Sequence, residues 1–105
     1  MSGKKPTILE LNEKLRLLHG QQLAEKMDEE IDLAFKIMEG YTELLEKKIK
    51  DSHRSACCYA ALVVSGFIKE GLADRTKEFL REYEDFIHPR AAEILRASML
   101  RMSGF

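Results

Sequence analysis

One stretch constrains the fold of this chain more than any other, because its apolar residues recur at alternating intervals of three and four. The members of this series are Ala24, Met27, Ile31, Ala34, Met38, Tyr41 and Leu45. Such spacing lines them up on one face of a helix, and its regularity is typical of a coiled-coil seam. The pattern therefore predicts one long helix over about 21–50.

A separate helix is expected before this one. Thr7 and Glu10 have the spacing of a capping box, which predicts a helix that begins near Ile8. Its apolar stripe is out of phase with the series that starts at Ala24. We expect a turn at Gly20, since glycine readily adopts the left-handed conformation that ends helices.

Three further helices are expected after residue 50. No residue from 55 to 68 is charged, so the third helix is expected to be the central and most buried one. Gly71 is expected to end it, a fourth helix to begin near Asp74, and Pro89 to open a fifth. With only 6 Gly and 2 Pro, the chain has too few turn residues for a β-rich fold. The sequence thus predicts a single all-α domain, 1–105, a bundle of four to five helices, with residues 1–6 disordered.

The charge and the cysteine content limit the environments in which this chain is expected to work. It has 17 Lys and Arg against 18 Asp and Glu, a net charge of −1, so no overall field attracts it to nucleic acid or to anionic lipid. The uncharged run 55–68 is too short to span a membrane, and no signal-peptide core is found. Cys57 and Cys58 are adjacent and poorly placed to bond to each other. We therefore expect a cytoplasmic protein without membrane association.

The residues that could bind a metal do not form a complete set. His53 and Cys57 share a helix face, but a zinc site needs further ligands, and His19 and His88 are isolated. Cysteine is also among the most commonly buried residues. We therefore predict structural thiols, with no metal and no cofactor.

Arg81 and His88 form a pattern that points to catalysis. Their Arg-x6-His spacing resembles the signature of the HEPN (higher eukaryotes and prokaryotes nucleotide-binding) ribonucleases, small all-α domains in which dimerisation brings two such pairs together. The resemblance implies that His88 acts in acid–base catalysis and that Arg81 stabilises phosphate charge. On one continuous helix the two would share a face. A HEPN-like ribonuclease is therefore the alternative function.

Weak binding to nucleic acid is a second alternative. Small basic groups lie at 47–54 and at Arg90, Arg96 and Arg101. No exposed aromatic or amide residues alternate with them, so these are ordinary helix-end charges, and we do not expect nucleic acid as a partner.

The apolar series favours a function based on contacts between proteins. At 1.5 Å per residue a helix over 21–50 would be about 45 Å long, and the third helix less than 30 Å, so the chain could not cover the whole seam by itself. We expect a small helical interaction, assembly or regulatory protein that works as a homodimer or larger homo-oligomer, with a larger protein partner as a further option. The expected interface residues are Met27, Ile31, Met38 and Tyr41, with Met99, Met102 and Phe105 as a second patch.

Overall fold

The chain folds into helices throughout the part that the structure describes. The structure is a computed structural model that describes residues 6–44, 49–68 and 70–102. Its helices are α1 (Ile8–Gln21), α2 (Met27–Thr42), α3 (Asp51–Gly66), α4 (Glu70–Tyr83) and α5 (Pro89–Met102), with a short 3-10 helix (Ala24–Lys26) before α2. The predicted all-α fold class is confirmed. The expected disorder of residues 1–6 concerns residues that, except for Pro6, lie outside the described ranges.

The first helix begins where its capping box predicts. The Thr7 hydroxyl accepts a hydrogen bond from the Glu10 N–H, and the Glu10 carboxylate accepts one from the Thr7 N–H, each at 3.1 Å. The left-handed residue at its other end is Gln22, with φ of 52°, whereas Gly20 remains helical. The Gln22 N–H donates to the His19 carbonyl at 3.2 Å. The expected change of direction is present, two residues after Gly20.

The second helix is shorter than predicted. It has 16 residues, Met27–Thr42, so it is about 24 Å long. Gln21 belongs to α1, and at the other end Glu43 and Leu44 form a turn in which their N–H groups donate to the carbonyls of Gly40 and Tyr41. The prediction of one helix over about 21–50 is therefore wrong. An apolar series can stay in phase across such turns, and its spacing alone does not show that the helix is continuous.

The helices pack around α3, which contacts α2, α5 and α1, while α1 also packs on α2 and α4 on α5. At the crossing of α1 and α2, a Cβ on Gly40 would lie 3.0 Å from Cγ1 of Ile8. Glycine at this position thus lets the start of α1 approach the backbone of α2. None of the helices in the described ranges has the length and hydropathy that crossing a membrane requires.

Two boundaries near α4 also differ from expectation. The third helix ends at Gly66, with Phe67 as its C-cap, and α4 includes Gly71 and begins at Glu70 instead of Asp74. By contrast, α5 begins at Pro89 as predicted. Glycine is tolerated inside a helix at a cost of about 1 kcal/mol, so Gly71 by itself does not fix a helix end.

Candidate functional site

The apolar face of α2, the expected interface, is covered by the same chain. The exposed fractions of Ile31, Met38 and Tyr41 are 5%, 0% and 5%. Because α2 is short, α1 and α3 suffice to cover this face, and these three side chains are not available to a second copy of the folded chain. The argument that placed a homodimer contact on this helix is therefore wrong for these residues.

The other expected interface residues have different surroundings. Met27 and Met99 are half-buried and pack against the core. The side chain of Met102 and all of Phe105 lie outside what the structure describes. The second expected patch, at the C-terminal end, therefore stays a prediction.

One exposed apolar surface in the described part of the chain lies on α3, the helix that was expected to be the central and most buried one. Its inward side is fully covered, but Leu62 is 57% exposed. Ser55, Tyr59, Leu62 and Gly66 follow one another at intervals of four, three and four, so they lie on one helix face. We call these four residues the outer stripe. Tyr59 is half-buried, the other three are exposed, and the space beside Gly66 is open.

Along α1, the outer stripe is bordered by a cation and an imidazole. The guanidinium carbon of Arg16 lies 4.4 Å from the centroid of the Tyr59 ring. The His19 ring meets Tyr59 and Phe67 edge-on, with centroids 6.2 and 6.1 Å apart. Nδ1 of His19 lies 2.9 Å from Oε1 of Glu30, a carboxylate that is only 2% exposed. A buried acid of α2 thus fixes the imidazole at this border.

Along α5, the outer stripe is bordered by hydroxyl, thiol and arginine groups. The hydroxyl groups of Ser65 and Ser98 are hydrogen-bonded to each other, and Arg101 donates to the Ser98 hydroxyl at 3.2 Å. About two turns before Ser65 on α3, Sγ of Cys58 lies 3.9 Å from Nδ1 of His88. These contacts tie α5 to the side of α3 away from α1.

The two cysteines lie in different environments although they are adjacent. Cys57 is fully buried, and burial, helped by the charge of Cys58, raises the pKa of its thiol to about 12. Cys58 is half-buried; burial raises the pKa of its thiol and the Arg90 guanidinium opposes part of that change. Both thiols are therefore protonated near neutral pH, which makes them weak nucleophiles.

Arg81 and His88 do not share a helix as expected for the nuclease alternative. Arg81 is exposed on α4, which ends at Tyr83, and His88 is the residue before α5, where its Nδ1 accepts a hydrogen bond from the Arg90 N–H at 3.1 Å. Burial lowers the pKa of His88, and the nearby Arg54 lowers it further. Among the described residues, no hydrogen bond or ion pair joins Arg81 to His88. The helix break between them, before Pro89, accounts for the difference.

An open groove of about 650 Å³ lies elsewhere, between the start of α1 and the end of α2. Its polar lining includes Lys36, Glu39, His53 and Tyr83, and the charges of Glu39 and then Glu82 raise the pKa of Tyr83. In the described ranges, no three His, Cys, Asp or Glu side chains come together closely enough to hold a metal ion.

Comparisons of this chain with family models, with curated proteins and with solved structures found no match.

Proposed function

We propose that this protein works by binding another protein chain through the outer stripe of α3. The observation that carries the proposal is Leu62, a large apolar side chain that is 57% exposed within the uncharged run 55–68. Single exposed leucines are ordinary on protein surfaces. Leu62 differs because no charged side chain of its own helix flanks it for a full turn on either side.

The composition of the outer stripe suits close contact with a partner helix. Ser55 and Gly66 are small, so a partner backbone can approach α3 on both sides of Leu62. Covering the exposed part of one leucine contributes about 1–2 kcal/mol, and the neighbouring borders would supply the rest of an interface. This surface replaces the α2 face as the contact of an interaction, assembly or regulatory protein.

The two alternative functions have less support from the described residues. Catalysis by Arg81 and His88 would require both groups at one phosphate, and they belong to different segments here. Binding to nucleic acid would place phosphates on an uncharged stripe that has few donors. Neither alternative uses the exposed Leu62.

Site-specific photo-crosslinking tests the proposed function. The photoreactive amino acid p-benzoylphenylalanine would be placed at position 62 and, as a matched control, at position 17, where Leu17 is 64% exposed on the outward side of α1. In source cells, we expect a discrete crosslinked adduct from position 62 and none from position 17. The adduct should be lost when Tyr59→Asp is added to the position-62 variant.

Two results of this experiment would contradict the proposal. One is the absence of a discrete adduct at position 62, and the other is the same adducts at both positions. An adduct between two copies of this chain would support the proposed function and would identify the partner as a homo-oligomer. The expected homo-oligomer is thus one possible result of the test.

A further inference from the structure

The charges beside the outer stripe indicate which kind of chain it binds. We infer that the partner is an acidic amphipathic helix of another protein, and that it is not a second copy of this chain. This inference rests on the proposed function, because it names the partner of the same surface.

Arginines border the outer stripe on both sides. Arg16 lies on the Tyr59 ring at the α1 border, and Arg101 reaches α3 through Ser98 and Ser65 at the α5 border. Neither arginine forms an ion pair among the described residues. Within the described ranges, each therefore presents a positive charge that no carboxylate pairs with, next to an uncharged surface.

The nearby carboxylates compensate only part of this charge. Asp51 is paired with Arg54 at 3.0 Å, and Glu93 with Arg90 at 2.9 Å, so each acid neutralises one further arginine. Glu13, one helical turn before Arg16, is exposed and has no ion pair among the described residues. The borders of the outer stripe thus carry an excess of positive charge, although the whole chain has a net charge of −1.

The positions of two arginines argue against pairing with a second copy. Arg16 contacts the Tyr59 ring at the α1 border, and Arg101 donates to the Ser98 hydroxyl at the α5 border. In a two-fold contact the same surface is used by both copies.

Such a two-fold contact would bring together two surfaces that both carry an excess of positive charge on their borders. Like charges that face each other across an interface oppose association. A helix that carries carboxylates beside an apolar stripe would instead pair with the arginines on both borders.

The shape of the surface favours a helix over an extended segment or RNA. The outer stripe is about 17 Å long at 1.5 Å per residue, which is three turns of a helix. Its residues recur at the spacing that receives the apolar side chains of a docked helix. Its centre is apolar and uncharged, which suits leucine side chains and disfavours phosphates.

Binding of two synthetic peptides tests this inference. Both would be amphipathic helices of about 18 residues with the same leucine stripe, one with Glu and one with Lys on the flanking positions. Fluorescence anisotropy would measure the Kd of each for the full chain. We expect the Glu peptide to bind at least about tenfold more tightly than the Lys peptide at low salt, and the difference to shrink as salt screens the charges.

Charge-reversal variants locate the binding. The double variant Arg16→Glu/Arg101→Glu should weaken binding of the Glu peptide at least about tenfold. Its matched control is Lys36→Glu/Lys77→Glu, which makes the same change in net charge at exposed positions on α2 and α4. The control should change the Kd less than about twofold. Circular dichroism would verify that all variants are helical.

The possible outcomes separate this inference from the proposed function. Equal or tighter binding of the Lys peptide would overturn the inference, and so would failure of both peptides to bind. If Leu62→Asp abolished self-association of the purified chain, the partner would be a second copy, and only the inference would fail. Displacement of the Glu peptide by a single-stranded RNA, with Leu62→Asp without effect on either ligand, would overturn both.

Discussion

The inner face of α2 is buried within the chain and the outer face of α3 is exposed, which is the reverse of what their sequence patterns predict. The face of α2 has the most regular apolar spacing in the chain and is covered, with Met38 fully buried. The uncharged run in α3 belongs to the most central helix, yet it leaves Leu62 57% exposed. Regular apolar spacing therefore indicates that a helix face is buried. It does not indicate whether that face packs against the same chain or against a partner.

The largest effect expected from this comparison is on stability. Met38→Ala removes a fully buried side chain and should lower the free energy of unfolding by about 3 kcal/mol. Leu62→Ala should lower it by less than about 1 kcal/mol, because much of that side chain is already in water. Urea unfolding followed by circular dichroism measures both. Equal losses would show that the two faces do not differ in burial.

Thiol labelling compares the inner and outer sides of α3 directly. Cys58 should react slowly with a thiol reagent in the folded protein, and Cys57 should react only on unfolding, because its thiol is buried with a pKa of about 12. In Cys58→Ala the native labelling phase should therefore disappear. Because the pKa of both thiols is raised, the rate for Cys58 should increase with pH above neutrality. Rapid native labelling of Cys58→Ala would contradict this assignment.

The contact between His19 and Glu30 should have a smaller effect on stability. His19→Ala leaves the buried Glu30 carboxylate without its imidazole partner, and we expect a loss of about 1–2 kcal/mol, since the imidazole side is open to water. Adding Glu30→Leu to the His19→Ala variant should restore part of the lost free energy of unfolding. The control is Lys14→Ala, which removes an exposed ion pair with Glu29 and should cost less than about 0.5 kcal/mol. Equal effects of His19→Ala and the control would show that burial of Glu30 is unimportant.

The smallest expected effect is a pH dependence at the α5 border of the outer stripe. The pKa of His88 is lowered in the folded chain, so the unfolded chain takes up a proton first as the pH falls below about 6.5. The stability that neutral His88 contributes above that pH is then lost as the pH falls through its folded pKa. His88→Asn, which keeps a capping oxygen, should therefore lose less Tm than the wild type on acidification. Parallel Tm profiles would contradict this.

The local features of the fold could be predicted from short stretches of sequence. Thr7 and Glu10 define the start of α1, and Pro89 the start of α5, because each start depends on groups within a single turn. The end of α1 could not be placed in the same way. Gln22, not Gly20, adopts the left-handed conformation, and no residue type required it there.

The sequence by itself determined that this chain is helical, since the spacing of its apolar residues depends only on the geometry of a helix. Its tertiary structure decided which apolar face is covered. That choice depends on where α2 ends and on how α1 and α5 pack against α3, contacts between residues far apart in the chain. No single segment encodes them, so the exposed stripe at Leu62 and the arginines beside it are visible only once the helices are packed together.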